Sequence, residues 1–246
     1  MARFFLPSRQ IHDNRGTIDG QELEHLRKVL RLKPGDRITV FDDSGWEHDA
    51  VIRSVAGAQG DFEIVRSYQA QRESPLHLTL AVGLTKGDKI DLVVEKATEL
   101  GVQKIIPFAS THAVPKLDER KIATRTERWR KIALSATKQC GRTQVPEILP
   151  LMSFEDLLAD AQPGAAKLLC WEKESEQSLR QAHEKLRDAK ALLVAVGPEG
   201  GFSPIEAELA RQHGFEQVHL GRRILRAETA AIAALSLVQL LWGDLA

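Results

Sequence analysis

The sequence predicts an α/β protein in two parts: a small β-barrel over residues 1–70, then, over 71–246, an α/β domain with a mostly parallel sheet. Three observations carry this. The first part is made of short β-branched and aromatic runs separated by Asp/Gly turns. A polar stretch ending in proline, residues 69–75 (QAQRESP), reads as a linker. Beyond Leu76, apolar strands alternate with amphipathic helices.

In the first part the strand candidates are 38–41, 49–53 and 62–65. Residues 22–32 place Leu23, Leu26, Val29 and Leu30 on one helical face, and Lys33-Pro34-Gly35-Asp36 stops that helix. In the second part strands are expected at 76–82, 104–108, 167–171, 192–196 and 217–220. Helices are expected at 89–100, 118–140, 154–161, 176–188, 204–213 and 228–242. Leu192-Leu193-Val194-Ala195-Val196 is apolar on both faces, as a parallel strand covered by helices on both sides must be.

Composition narrows the function classes. The chain has 246 residues, 43% of them hydrophobic and 28% charged, with mean hydropathy −0.25, as in globular domains. Thirty-four basic residues balance 34 acidic ones, so no whole-protein field draws it to nucleic acid or membrane. Any polyanion site must come from uneven charge placement. Cys140 and Cys170 cannot build a disulfide framework, and a reducing, cytoplasmic setting is expected. The first residues lack a signal-peptide core, and no apolar run approaches the roughly 20 residues of a membrane span.

Four segments could carry chemistry. In residues 194–206 (VAVGPEGGFSPIE) a buried strand runs into a glycine-rich turn and a helix starts at once. Ser203 as N-cap, Pro204 at N1 and Glu206 at N3 form a capping box. Glycines there let backbone approach a ligand, and ligands of open sheets bind beyond strand carboxyl ends. The pattern is neither a dinucleotide fingerprint nor a phosphate loop, and an ordinary tight turn has the same signature. In residues 220–231 (LGRRILRAETAA) a strand again ends in glycine. Ile224 and Leu225 fall outside any period, and a small-residue helix follows. Arg222, Arg223 and Arg226 fit a binding loop or a solvated one. From Arg120 to Gln144 eight basic residues face Glu127 alone, an excess of seven in a neutral chain. Its apolar face is Ile122, Trp129, Ile132, Ala133, Ala136 and Cys140. Such a stripe suits phosphate contacts or a merely solvated face. Last, Asp88 and Gly101 bracket a helix with the stripe Ile90, Val93, Ala97, Leu100, on which Glu95, Lys96 and Glu99 read as a salt-bridge set. The eight histidines show no metal-ligand spacing, so no metal is expected. No nucleophile elbow occurs.

Taken together, these segments resemble the RsmE family, which methylates N3 of one uridine in 16S ribosomal RNA and belongs to the SPOUT class of S-adenosylmethionine-dependent methyltransferases. The resemblance runs the whole chain. It includes Arg3-Phe4-Phe5, residues 25–36 (HLRKVLRLKPGD), 95–102 (EKATELGV), Gln139-Cys140-Gly141-Arg142 with Val145-Pro146-Glu147-Ile148, 197–202 (GPEGGF) and 220–231. Lys138, Arg222 and Ala227 depart from the residues the family commonly has there.

The resemblance implies a PUA-like RNA-binding barrel, a SPOUT domain tied in a deep trefoil knot, and a homodimer acting on the small ribosomal subunit. It maps S-adenosylmethionine onto Gly197, Pro198, Glu199, Gly200, Leu220, Gly221, Ile224, Leu225, Arg226 and Thr229, a near-neutral setting suited to a sulfonium. It maps RNA onto Arg3, Phe4, His25, Arg27, Arg31, Arg125, Arg128, Lys138, Gln139 and Arg142. Methylation at N3 needs a base, or donors that stabilise negative charge on O2 and O4. Arg226 could donate; Glu199 or Glu228 could accept the proton, and the sequence does not choose between them. Two alternatives stay open: SPOUT ribose 2′-O-methylation of rRNA or tRNA, and a non-catalytic RNA-binding assembly factor.

Overall fold

Strand pairing changes character midway along the chain. The computed structural model describes residues 2–42, 44–85, 87–110, 119–160 and 164–245, and position 118 of one predicted helix and 161 of another lie outside these. The chain divides into two units: Met1–Glu73 with Thr137–Val145, and Ser74–Ala136 with Pro146–Ala246.

The first unit holds a mixed, barrel-like sheet. Its strands are β1 (Ala2–Phe5), β2 (Ile11–His12), β3 (Arg15–Ile18), β4 (Arg37–Phe41), β5 (Trp46–Ala56) and β6 (Gln59–Gln69). The spatial order is β1-β4-β5-β6-β3-β2; β1 runs parallel to β4 and the remaining pairs are antiparallel. Phe4, Leu26, Ile38, Val40, Ile52 and Phe62 form its core. The first three short strands were not read from the sequence, being too brief for a period to show. The predicted helix is also corrected. Helix α1 (Gly20–Glu24) passes into a π-helical stretch at His25–Val29. Leu23 and Leu26 are buried, but Val29 is 68% exposed and Leu30 is exposed too. The wider π turn breaks the 3.6-residue phase that placed all four on one face. The helix ends with Arg31 at φ +53°, where the Leu32 amide donates to the Leu26 carbonyl at 3.1 Å, a left-handed C′ position usually given to glycine.

The second unit is built on a parallel sheet. In chain order its elements are β7 (His77–Gly83), α2 (Lys89–Glu99), β8 (Lys104–Ala109), α3 (Glu119–Cys140, its last turn assigned to the first unit), β9 (Glu147–Ile148), β10 (Met152–Ser153) and α4 (Phe154–Ala159). There follow β11 (Ala166–Cys170), α5 (Leu179–Lys185), β12 (Ala191–Val196), α6 (Pro204–Gln212), β13 (Phe215–Val218) and α7 (Ala227–Trp242). The order is β10-β8-β7-β12-β11-β13, with β9 on β8, and every pair is parallel. As its apolar run predicts, β12 is buried at all but its first residue. Helix α5 is shorter than its predicted span and β13 lies two residues earlier. Among the described residues no helix is long and apolar enough to cross a membrane.

Helix α2 ends as read. Gly101 sits at φ +78°, with Val102 donating to Ala97 at 3.0 Å and Gly101 to Thr98 at 3.1 Å, both bonds of a Schellman motif. Asp88 occupies the N-cap without a side-chain cap bond, its carboxylate lying 3.5 Å from Arg128. Lys96 bridges Glu95 and Glu99, and those two bonds hold its ammonium above the ordinary lysine value. The polar stretch 69–75 is not a loose linker. The Glu73 carboxylate accepts from Arg142 Nε at 2.9 Å, from the Thr143 amide at 2.9 Å and from the Gln144 amide at 3.1 Å.

Candidate functional site

Parallel strands leave their unpaired carboxyl ends, and the loops that follow, on one side of a sheet. Here Cys170 is in register with Val196 and Val218, and Val196 with Val82. The loops leaving β11, β12 and β13 surround a cavity of about 730 Å³, within the size range of cofactor pockets. Gly197, Pro198, Glu199 and Gly200 line it from one loop, and Leu220, Gly221, Ile224, Leu225 and Arg226 from another. Two predicted residues are absent from the lining. Glu228 and Thr229 belong to the first turn of α7 but are not among the lining residues, whereas Ala227 and Ala230 on either side of them are.

The sequence folds the 197–203 loop by anchoring both ends. At the far end Ser203 Oγ accepts from the Glu206 amide at 3.2 Å, and the Glu206 carboxylate accepts from the Ser203 amide at 2.8 Å, completing the predicted capping box. Phe202 is buried, its ring 6.0 Å from Phe108 and 5.3 Å from Phe154. At the near end the loop presses on β7: a Cβ built on Gly83 would lie 2.5 Å from both the nitrogen and Cδ of Pro198. Those atoms cannot swing aside, so the glycine is required. Gly83→Ala is expected to destabilise the second unit by about 1–3 kcal/mol, as overpacking does, and to weaken cofactor binding by displacing the cavity wall. Thermal unfolding and calorimetric titration would register the two effects separately.

The lining is less neutral than the glycine loops imply. Lys89, Arg222, Arg223 and Arg226 face the cavity against Glu172 and Glu199. Lys89 Nζ lies 2.8 Å from Glu199 Oε1, so one of the two candidate bases is already ion-paired. His219 Nδ1 accepts from the Gly221 amide at 3.1 Å, steadying the turn where Gly221 takes φ +113°. Burial pushes the Cys170 thiol up to about 12, which leaves it a neutral wall. The apolar part comes from Val196, Pro198, Trp171 and Leu225, while Ile224 stands 83% exposed at the rim. Sequence reasoning missed Lys89, Cys170, Trp171, Glu172 and His219. Cys170 and Trp171 end a strand that was read, and ligands sit at such ends; that signal would have found both.

The RNA candidates divide into free and occupied groups. In the first unit Phe4 is fully buried in the core, too deep to touch RNA. Arg142 is 4% exposed, and its Nη2 donates to Glu73 at 2.7 Å. Arg3 donates to Glu47 and, at 2.9 Å, to the Arg142 carbonyl. In this structure all three are engaged within the first unit rather than presented to solvent. Lys138 is ion-paired with Glu22 at 2.7 Å, and Arg27 Nη1 donates to the Gly57 carbonyl at 2.6 Å. His25 is half-buried, 6.2 Å from the Phe4 ring, while Arg31 and Gln139 are exposed. In the second unit Arg128 is exposed but paired with Asp91 and Asp88. The same Asp91 accepts from Trp129 Nε1 at 3.0 Å, which docks α3 on α2. Arg125 is half-buried.

Comparison with known proteins gives consistent matches. The RNA methyltransferase domain model matches residues 72–239, and the RNA methyltransferase PUA domain model matches 18–59. The ribosomal RNA small subunit methyltransferase E of Bacillus subtilis is 34% identical, covering 99% of this chain and 100% of its own length. The protein of the same name from Neisseria gonorrhoeae, solved with S-adenosyl methionine, is 34% identical with a TM-score of 0.87 over the whole of both chains. Lpg2936 of Legionella pneumophila, described as a methyltransferase and solved with bound SAM, is 32% identical with a TM-score of 0.90 over 98% of each chain.

Proposed function

The chain belongs to the ribosomal RNA small subunit methyltransferase E family, and we propose that it transfers the methyl group of S-adenosylmethionine to N3 of a uridine in 16S rRNA, in the bacterial cytoplasm. The observation that carries the reading is the cavity at the carboxyl ends of β11, β12 and β13, walled by the two glycine loops. Its volume and its mixed apolar and backbone walls suit an adenosine joined to a methionine. The SAM-bound relatives at 32% and 34% identity support the same cofactor. The deep trefoil knot and the homodimer implied by the family resemblance are part of the proposal. Leu237 and Leu240, 39% and 51% exposed on α7, offer an apolar strip for a second copy to cover, and light scattering would read the dimer's mass.

In this reading Gly197 to Gly200 and Leu220 to Leu225 hold the cofactor, which supplies a methyl group on positively charged sulfur. Pro198 and Leu225 exclude water from it. Arg226, at the start of α7, donates to the uracil oxygens as negative charge spreads over the ring. The uridine must be unpaired or flipped to present N3, its Watson–Crick edge, at a cost of a few kcal/mol if stacked.

The test offers purified protein and labelled S-adenosylmethionine to unmodified small subunits, naked rRNA and tRNA, and identifies the methylated nucleoside by mass spectrometry. N3-methyluridine from subunits or rRNA is expected. A ribose-methylated product would overturn the site of transfer, and no product beside tight RNA binding would indicate an assembly factor.

The basic stripe of α3 carries its own prediction. Arg125→Glu combined with Arg128→Glu should weaken RNA binding and flatten its salt dependence, each lost phosphate contact removing about 0.7–0.9 from the log–log slope. Of the pair, Arg125 should account for more, since Arg128 is already paired with Asp91.

A further inference from the structure

The carboxylates around the cavity are not equivalent. Glu228 does not line it, and Glu199 holds the Lys89 ammonium at 2.8 Å. Glu172 lines it and makes no hydrogen bond or ion pair among the described residues.

Its backbone, by contrast, is firmly held. Glu172 and Lys173 are the central residues of a turn closed by the Glu174 amide donating to the Trp171 carbonyl at 3.2 Å. Trp171 is fixed on one side by its amide donating to the Val218 carbonyl at 3.0 Å. On the other side its indole Nε1 donates to the Phe202 carbonyl at 3.2 Å. Glu174 Oε1 accepts from the amides of Glu176 and Gln177 at 2.7 and 3.1 Å. Partial burial would raise the Glu174 carboxyl, but these backbone donors, with Ser175, outweigh it and hold it below the ordinary carboxylate value. Glu174 therefore stays ionised and shapes the turn. Glu172 is left to project over Gly201, where a built Cβ would lie 2.3 Å from Glu172 Oε1. Gly201, at φ +66°, leaves open the space this carboxylate occupies.

We propose that Glu172 is the general base of the reaction, accepting the imide proton of the target uridine. The inference rests on the N3-methyltransferase reading above. Glu172 takes the proton from N3 as the bond from N3 to the methyl carbon forms and the carbon–sulfur bond breaks. The electron pair of the broken bond stays on sulfur, giving a neutral thioether, and the proton ends on the carboxylate. A base must reach the reacting atom in the cavity; among the described residues, Glu172 is the lining carboxylate that no cation engages.

Glu172→Gln tests this, with single-turnover methylation of small subunits, calorimetric binding of S-adenosylmethionine and filter binding of RNA. The expected result is a rate lower by about 10²-fold or more, the usual size of a general-base contribution, with both affinities unchanged. The loss should shrink as pH rises, since hydroxide can then remove the proton. It should also shrink with 5-fluorouridine in the RNA, whose N3–H is more acidic, and Glu172→Asp should recover part of the rate. A full rate in Glu172→Gln would overturn the proposal. So would a rate loss explained by weaker S-adenosylmethionine binding, which would make Glu172 a cofactor ligand. Failure of the wild-type protein to form N3-methyluridine would overturn the underlying reading as well, so the two failures are distinct.

Discussion

Replacing Arg226 by alanine is expected to lower the methylation rate by about 10²–10³-fold, the range for removing one preorganised donor to developing negative charge. Affinity for RNA and S-adenosylmethionine should hardly change. The structure makes the substitution clean. Arg226 is the N-cap of α7 through its backbone alone, at φ −64° and ψ 153°, with no side-chain cap bond. Its carbonyl accepts from the Ala230 amide at 2.7 Å, a bond alanine keeps. The side chain is exposed at the cavity and forms no ion pair among the described residues. Its removal therefore costs the fold little. Single-turnover rates at saturating substrate and cofactor would isolate the chemical step. Arg226→Lys separates charge from shape, because lysine restores the cation but not the planar fork of donors. An unchanged rate in Arg226→Ala would remove this residue from the mechanism.

The glycine loops were legible in sequence because their signals are local. A strand ending in 197–201, a capping box at Ser203–Glu206 and a small-residue helix after Arg226 each follow from neighbouring residues, and the cavity forms where they meet. The parallel sheet was legible for the same reason, through apolar runs such as 192–196. What was not legible depends on distant pairing. Arg142, in the basic stripe, and Arg3, through the family resemblance, read as RNA contacts because a basic residue shows no partner in sequence, yet Glu73 and Glu47, far away in sequence, engage them. Phe4 lies on a strand too short to reveal which face is inward. The helix over 22–32 failed differently: its composition fits an α-helix, and the π turn at His25–Val29 shifts the phase by less than any pattern of apolar residues reports.

The same distant pairing predicts the largest stability effect in the molecule. Glu47 is fully buried in β5, bonded to Arg3 and 3.6 Å from Arg72. Burial first, and then the neighbouring Glu47 carboxylate, hold the Tyr68 phenol above its ordinary value, and Glu47 faces Tyr68 in the pairing of β5 with β6. Glu47→Ala leaves the Arg3 guanidinium, only 14% exposed, without its counter-charge. Breaking one side of a buried pair costs about 3–5 kcal/mol, a large fraction of the stability of a small unit. The loss should be local, because all the partners belong to the first unit, and two units need not unfold in one step. Hydrogen exchange of amides in β4, β5 and β6 should therefore accelerate while those of β11 and β12 keep their protection. Arg3→Met in the Glu47→Ala background should recover part of the loss, since an apolar replacement of both charges removes the uncompensated cation. If Glu47→Ala proves neutral, the buried pair is not what holds the sheet. If the double variant regains stability yet binds RNA as the wild type does, the Arg3–Glu47 pair is a device of folding alone.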